Sequence, residues 1–210
     1  MNINLENDGE RMDIDYYNLV YDNLDTYQKS HYHRYLFIKN NISPTDIVGD
    51  MACGSGYGSM MLSENCKSVY GYDIDQTTID EVKIRYKNCD KVNFQCKNLL
   101  DVTDENFYDV IVSFETIEHF TPEEIPKVIE MFHRALRLGG RLVFSTPWNQ
   151  EKSHASMKHH KSFYITESTI EDFLRETFVI EKFGYQDYDT HHIKKDDGYK
   201  HFVLCVATKK

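Results

Sequence analysis

A glycine-rich segment between a predicted strand and a predicted helix constrains this chain more than any other feature. Residues 50–58 read Asp-Met-Ala-Cys-Gly-Ser-Gly-Tyr-Gly, following the apolar run 47–51 and opening a helical pattern over 56–65. Glycine lets the backbone turn tightly and approach a ligand without a Cβ in the way. Asp73 closes the next predicted strand, at about the place where an acid binds ribose hydroxyls in nucleotide sites. The pattern therefore predicts a strand–loop–helix unit that binds a nucleotide-like ligand.

The spacing of these glycines differs from two common nucleotide-binding motifs. Gly54, Gly56 and Gly58 follow a Gly-x-Gly-x-Gly pattern, whereas the dinucleotide fingerprint is Gly-x-Gly-x-x-Gly. No Gly-Lys-Ser/Thr follows, as a P-loop would require. The sequence thus argues against both a nicotinamide dinucleotide and a P-loop nucleotide.

Strand-like and helical patterns alternate from residue 47 onward. Short apolar runs occur at 47–51, 68–73, 92–96, 108–114 and 141–145. Helical patterns occupy about 56–65, 76–87, 122–137 and 167–175. This alternation predicts a doubly wound, Rossmann-like α/β fold, in which a mostly parallel sheet has helices on both faces. Two more β-rich runs, 178–185 and 199–207, have no helix between them, so we expect a seven-stranded sheet with an antiparallel edge strand.

Length and charge narrow the classes of function that remain. The 210 residues, 40% of them hydrophobic, predict a single domain over 1–210, with an N-terminal helical cover at 1–40 and a Rossmann-like core at 41–210. The 24 basic and 34 acidic residues give a net charge of −10, which argues against nucleic acid as a partner. No run approaches the roughly 20 apolar residues of a membrane span, and the N-terminus lacks a signal-peptide pattern, so we expect a cytoplasmic protein without membrane contact.

Several of these segments together resemble the class I S-adenosylmethionine-dependent methyltransferases. The segments that carry the resemblance are 50–58, Tyr72-Asp73-Ile74, Asn98-Leu99, 109–119 and Leu138-Gly139-Gly140-Arg141-Leu142. The resemblance covers about 46–150 and implies S-adenosyl-L-methionine as the methyl donor. Within the family, the chain resembles enzymes that act on small molecules and nucleotide-sugars.

The resemblance implies a set of donor-binding residues around the glycine segment. Gly54 and Gly56 would pass against the adenosyl ribose and the methionine part of the donor. Asp73 would bind the ribose 2′- and 3′-hydroxyls, and Ile74 would pack on the adenine. Asn98 stands where the family usually has Asp, and its side-chain oxygen can accept a hydrogen bond from the adenine amino group. The implied set also contains Asp50, Ala52, Cys53, Tyr57, Leu99, Phe114 and Glu115.

The N-terminal flank adds two candidates for the same ligand. Residues 10–12, Glu-Arg-Met, and residues 31–35, His-Tyr-His-Arg-Tyr, resemble the start of bacterial-type methyltransferases of glycan and nucleotide-sugar modification. We expect one or two helices within 10–40 to lie over the C-terminal edge of the sheet. The resemblance implies that they cover the donor and that Arg34 or Tyr35 reaches its methionine carboxylate.

Two acids and a histidine follow the fourth predicted strand. Glu115, Glu118 and His119 occupy positions i, i+3 and i+4, which share one face if the segment turns helical. Three interpretations stay open: the three residues bind Mg²⁺ or Mn²⁺, His119 alone is a general base, or Glu118 pairs locally and His119 only packs near the donor. The first resembles ubiquinone-pathway O-methyltransferases and small-RNA 2′-O-methyltransferases. In the small-RNA group a later histidine is the fourth metal ligand. By this resemblance His160 is the candidate fourth ligand here, although its position differs by one residue from the spacing in that group.

O-methylation fits this cluster best. A hydroxyl acceptor must lose a proton, with help from His119 or a cation, whereas a free amine already has a lone pair. We therefore expect an O-methyltransferase of a small hydroxylated molecule, with a sugar or nucleotide-sugar of glycan biosynthesis as the leading class. The alternatives are N-methylation of an amino sugar, RNA 2′-O-methylation and a non-catalytic donor-binding subunit. The oligomeric state stays open, with a homodimer as one option.

Overall fold

The computed structural model describes residues 12–153, 159–187, 190–195, 198 and 200–210. Its strands are β1 (Ile47–Met51), β2 (Ser68–Asp73), β3 (Val92–Cys96), β4 (Tyr108–Phe114), β5 (Leu136–Pro147), β6 (Phe178–Gln186) and β7 (Phe202–Lys209). Its α-helices are α1 (Thr26–Lys39), α2 (Tyr57–Ser63), α3 (Gln76–Arg85), α4 (Ile125–Ala135) and α5 (Glu167–Leu174). Short 3₁₀ turns span Tyr16–Asn18, Tyr21–Asn23, Leu99–Asp101 and Ile117–His119. None of the described helices is long and apolar enough to cross a membrane.

The strands of the described part form one seven-stranded sheet in the order β3-β2-β1-β4-β5-β7-β6. β1 pairs in parallel with β2 and β4, and β5 pairs in parallel with β4. β7 runs antiparallel to both β5 and β6. The predicted Rossmann-like fold is confirmed, but the reversed strand lies one position in from the edge, with β6 outside it. In that position β7 has hydrogen-bonding partners on both sides.

Several bounds differ by a few residues from the sequence-based expectation, and the structure gives a reason for the starts of α4 and β5. α4 begins at Ile125 rather than at 122, because residues 121–124 form a turn of their own, in which the Thr121 carbonyl accepts the N–H groups of Glu124 and Ile125. β5 begins at Leu136 rather than at 141, because Leu136 already pairs with Tyr108 of β4 across an irregularity in the register.

The core consists of two apolar layers, one on each face of the sheet. In β4, Val110, Val112 and Phe114 belong to the layer that includes α1 and α2, whereas Ile111 belongs to the layer of α4 and α5. Side chains alternate between the faces of a strand, so a strand covered on both sides is apolar throughout. Each such fully buried side chain stabilises the fold by about 1.5–3 kcal/mol. The two layers therefore hold the carboxyl ends of β1 and β4 on a rigid frame.

The described part of the predicted N-terminal cover lies against the glycine segment, while residues 1–11, including the Glu-Arg pair at 10–11, fall outside the described residues. The Ser55 hydroxyl donates to the Met12 carbonyl at 2.8 Å and accepts the Ile14 N–H at 3.3 Å. The chain that leads into α1 therefore crosses the glycine segment, as the resemblance implies.

α1 packs on α2 through one very close contact. A Cβ on Gly58 would lie 2.1 Å from the ring of Tyr35, which is only 2% exposed. Any side chain at position 58 would therefore push the two helices apart. Gly58 is thus required for helix packing.

Candidate functional site

The sheet order reverses between β1 and β4, and open α/β sheets hold their ligands at such a point. The glycine segment follows β1 and Glu115 follows β4, so two loops flank one crevice at the carboxyl ends of the strands. The backbone is left-handed at Ala52, Gly54 and Gly56, with φ of 69°, 50° and 71°. A Cβ on Gly56 would also come within 2.8 Å of the Phe94 ring. Glycine is therefore required at 56 both for its φ and for space.

Asp73 connects the glycine segment to the end of β2. Its carboxylate accepts the backbone N–H of Gly54 at 2.9 Å and that of Asp75 at 3.0 Å. The acid thus lies directly beside the turn that the resemblance assigns to the donor's ribose. Its bond to the ribose hydroxyls stays a prediction, and the structure gives it a second role in fixing the loop.

The residues predicted to hold the adenine follow β2 and β3. Ile74 is 57% exposed at the end of β2, which leaves an apolar surface beside the crevice. The Asn98 side-chain oxygen accepts the Leu100 N–H at 3.0 Å and thereby caps the 3₁₀ turn that contains the buried Leu99. An amide oxygen has two lone pairs, so this bond is compatible with the predicted bond to the adenine amino group.

Asp50 and Tyr35 form a buried pair beneath the glycine segment. The Tyr35 hydroxyl donates to one Asp50 carboxylate oxygen at 2.9 Å, and the Ser59 hydroxyl donates to the other at 2.6 Å. Burial raises the pKa of Asp50 to about 6, against the lowering effect of these two hydrogen bonds. The structure directs the Tyr35 hydroxyl at Asp50, and the contact of Tyr35 with the donor's carboxylate stays a prediction. The contact predicted for Asp50 stays untested; the structure shows both its oxygens bonded to protein hydroxyls.

Three other predicted donor-binding residues are buried in the floor of the crevice: Cys53, Tyr57 and Phe114. The Tyr57 hydroxyl is hydrogen-bonded to Nδ1 of His31 at 2.6 Å. Burial and the neighbouring Arg34 charge lower the pKa of His31 to about 3, so the imidazole is neutral at physiological pH. These side chains shape the crevice by packing, and a direct contact with the donor stays a prediction.

Arg34 is 2% exposed, and its guanidinium is held on several sides. Its Nε donates to Oε1 of Gln186 at 2.6 Å, one of its terminal nitrogens lies 3.2 Å from Oε1 of Glu115, and it stacks 4.2 Å above the Phe202 ring. The same Glu115 oxygen accepts the Ser145 hydroxyl at 2.7 Å. Arg34 therefore links α1 to the ends of β4, β6 and β7. Its predicted contact with the donor's carboxylate would have to share the guanidinium with Glu115.

Glu115 does not converge with Glu118 and His119 as the helical spacing predicted. The backbone at Glu115 has φ of 50°, and the residues after it form the 3₁₀ turn Ile117–His119 instead of an α-helix. The carboxylate of Glu115 consequently turns toward Arg34 and Ser145. Of the four predicted metal ligands, the structure brings Glu118, His119 and His160 together and leaves Glu115 outside the group.

Glu118, His119 and His160 each offer one ligand atom, and these atoms lie within 4.8 Å of one another. Oε2 of Glu118 accepts the Thr146 hydroxyl at 3.1 Å, whereas its buried Oε1 has no hydrogen-bond partner among the described residues. Burial and the charge of Glu115 raise the pKa of Glu118 well above its usual range. A buried carboxylate oxygen without a partner is costly, so the cluster favours a proton or a cation at this point.

The segment that carries His160 is fixed to the segment that carries His119. The Glu118 carbonyl accepts the N–H groups of Lys161 at 2.8 Å and Ser162 at 3.0 Å. These bonds place the imidazoles of His119 and His160 edge to face, with their centroids 4.9 Å apart. Burial and the nearby His119 lower the pKa of His160 to about 4, which keeps it neutral and able to act as a ligand.

Comparison with known proteins supports the predicted resemblance. Residues 49–144 match the family described as a methyltransferase domain, and this range contains the glycine segment, Asp73 and the turn with Glu118. Over these residues the chain resembles the class I S-adenosylmethionine-dependent methyltransferases. It is 35% identical over 101 residues to a probable S-adenosylmethionine-dependent methyltransferase of Mycolicibacterium smegmatis, a match that covers 48% of this chain and 37% of that protein.

Two further proteins are similar to this chain. The chain is 30% identical over 101 residues to the ubiquinone biosynthesis O-methyltransferase of Coxiella burnetii, covering 47% of this chain and 42% of that enzyme. It thus spans less than half the length of these two curated relatives. Its fold superimposes on the N-methyltransferase NodS of Bradyrhizobium japonicum, solved with S-adenosyl-L-homocysteine, with a TM-score of 0.70 over 89% of both chains. At 16% identity that likeness shows the fold alone.

Several residues of the candidate site were not predicted from the sequence. Gln186 and Ser145 hold Arg34 and Glu115, and Gln150 accepts a hydrogen bond from His160 at 2.7 Å. Their partners are far away in the chain, so no local spacing marks them. The one usable signal is position, because Ser145, Gln150 and Gln186 all lie near strand ends at the crevice edge of the sheet.

Proposed function

We propose that this methyltransferase transfers the methyl group of S-adenosyl-L-methionine to a hydroxyl of a small molecule. We further propose that a divalent cation, Mg²⁺ or Mn²⁺, assists the reaction at Glu118, His119 and His160. The acceptor class that we favour is a sugar or nucleotide-sugar of glycan biosynthesis, since a vicinal diol is a natural chelating group for such a cation.

The observation that carries this proposal is the buried Glu118 carboxylate, whose Oε1 has no hydrogen-bond partner among the described residues, in one group with the imidazoles of His119 and His160. One carboxylate oxygen and two imidazole nitrogens suit a hard-to-borderline divalent cation. When bound, such a cation lowers the pKa of an acceptor hydroxyl. An amine acceptor would gain little from this, so the cluster supports O-methylation over N-methylation. The name of the Coxiella relative, an O-methyltransferase, supports the same choice.

The protein's own residues would mainly align the reactants, because the donor already carries its leaving group. In this proposal the glycine segment and Asp73 hold the adenosyl part, and Arg34 and Glu115 fix the floor between the donor and the acceptor. The segment around Met12 and Ile14, which crosses Ser55, shields the donor from water. Alignment and exclusion of water account for much of the acceleration in such displacements. The alternative mechanism needs no cation, and in it His119 is the general base that takes the acceptor's proton.

The test is a methyl-transfer assay with isotopically labelled donor on a panel of nucleotide-sugars, catechols, amino sugars and a short RNA. Each acceptor is tested with Mn²⁺ and after treatment with a chelator. We expect labelled hydroxylated products, loss of activity with the chelator, and recovery on addition of Mn²⁺. Glu118→Gln should abolish the cation dependence, whereas Glu123→Gln, which removes an exposed acid nearby, should leave it unchanged.

Each alternative function gives a different result in the same assay. Full activity after chelation would overturn the proposed role of the cation and leave His119 as the general base. Methylation of amino sugars but not of their hydroxyl analogues would overturn the proposal of O-methylation. Transfer of the label to RNA would overturn the proposal that the acceptor is a small molecule. Donor binding without turnover on any acceptor would indicate a non-catalytic subunit.

A further inference from the structure

Gln150 is a direct hydrogen-bond partner of the His160 ring. It follows the end of β5, and its Oε1 lies 2.7 Å from Nδ1 of His160. A carbonyl oxygen only accepts hydrogen bonds, so Nδ1 must carry the hydrogen. In a neutral imidazole the other nitrogen, Nε2, then has the lone pair.

The backbone on both sides of this bond is held in place. The Asn149 N–H donates to the Ile165 carbonyl at 2.7 Å, and the Tyr164 N–H donates to the Gln150 carbonyl at 2.9 Å. Asn149 and Tyr164 are both left-handed, with φ of 46° and 58°. Non-glycine residues adopt this conformation only where the surrounding structure enforces it. The short ladder therefore presents the Gln150 side chain to His160 from a defined direction.

The His160 segment is held on its other side as well. Besides the two bonds to the Glu118 carbonyl, the Ser162 hydroxyl donates to the Phe120 carbonyl at 2.7 Å. Two sets of main-chain contacts therefore fix where His160 lies, but they leave its ring free to choose a tautomer. The bond to Gln150 is the contact that makes this choice.

We propose that Gln150 is a positioning residue that keeps His160 in its Nδ1–H tautomer, so that Nε2 is the nitrogen offered to a divalent cation beside Glu118 and His119. The inference rests on the cation of the proposed function and deepens it. A hydrogen-bond acceptor behind a ligating histidine sets both ring orientation and basicity, and its loss typically lowers metal affinity about 10–100-fold.

The experiment compares three variants with the wild type. Gln150→Leu removes the acceptor at similar size, Gln150→Glu keeps an acceptor, and Gln76→Leu is the control at an exposed glutamine on α3. Mn²⁺ affinity is measured on protein without donor by electron paramagnetic resonance. The tautomer of His160 is read in the metal-free protein from its ¹⁵N shifts, assigned with His160→Gln. Thermal unfolding and binding of S-adenosylhomocysteine verify that each variant is folded.

We expect the Nδ1–H tautomer in the wild type and its loss in Gln150→Leu, together with an about 10–100-fold weaker Mn²⁺ affinity. Gln150→Glu and Gln76→Leu should bind Mn²⁺ at least as tightly as the wild type. An Nε2–H tautomer in the wild type, or equal Mn²⁺ affinity in Gln150→Leu, would overturn the role of Gln150 while leaving the cation site intact. A wild type that binds no Mn²⁺ would instead overturn the cation of the proposed function, and the role of Gln150 with it.

Discussion

The buried carboxyl of Asp50 makes the stability of this protein depend on pH in a defined direction. Burial raises its pKa from the usual 3.8 to about 6. The folded protein therefore holds the proton more tightly than the unfolded chain does. The protonated Asp50 carboxyl therefore stabilises the folded state. This stabilisation is fully present below about pH 3.8 and is lost as the pH rises to about 6. At roughly 1.4 kcal/mol for each pKa unit, the total loss is about 3 kcal/mol.

Asp50→Asn tests this because the amide keeps the shape of the side chain but cannot titrate in this range. The measurement is urea-induced unfolding of the wild type and the variant at several pH values between 4 and 7. Relative to the variant, the wild type should lose about 3 kcal/mol of unfolding free energy across that range. Asp90→Asn, which removes an exposed carboxylate, is the control for loss of a charge. A difference between wild type and Asp50→Asn that stays constant with pH would refute the reasoning.

Three further predictions follow from buried contacts. Gly58→Ala should lower the unfolding free energy by about 1–3 kcal/mol, because the new Cβ overlaps the Tyr35 ring; urea unfolding equal to that of the wild type would contradict the packing argument. Arg34→Met should cost about 3 kcal/mol by leaving Glu115 without its partner, and Glu115→Gln in the same chain should recover most of the loss; a double variant no more stable than Arg34→Met would argue against the pair. Glu118→Gln should raise the melting temperature of the metal-free protein at neutral pH, since it removes a buried acid of raised pKa, and should also abolish Mn²⁺ binding. A lower melting temperature would show that Oε1 of Glu118 has a stabilising partner.

The fold could be predicted because its signals are local. The apolar run of β4 and the glycine segment after β1 each follow from a few neighbouring residues, whose periodicity and turn chemistry fix the element. The reversed position of β7 could not be predicted in the same way. It depends on which of the last two β-rich runs pairs with β5. Either run could form the edge of the sheet.

The candidate site could be predicted only where neighbouring parallel strands place its residues at the same edge of the sheet. Asp73 lies beside Gly54 as expected, since consecutive parallel strands end at the same edge. Glu115 was misplaced because the helical spacing assumed an α-helix, whereas its left-handed backbone turns the carboxylate toward Arg34. Gln150 could not be found, since its role arises only when β5 and the His160 segment come together.

Some expectations stay predictions. These are the division of the chain at residue 40, residence in the cytoplasm and assembly as a homodimer. Size-exclusion chromatography coupled to light scattering would decide the last of them.

Binding of the demethylated donor tests the central claim most directly. Titration calorimetry with S-adenosylhomocysteine should give saturable binding to the wild type. It should give at least about tenfold weaker binding to Asp73→Asn, since two hydroxyl contacts and the bond to Gly54 are weakened together. Asp90→Asn should bind as the wild type does. Absence of binding to the wild type, or equal affinity in Asp73→Asn, would contradict the account of the crevice between β1 and β4.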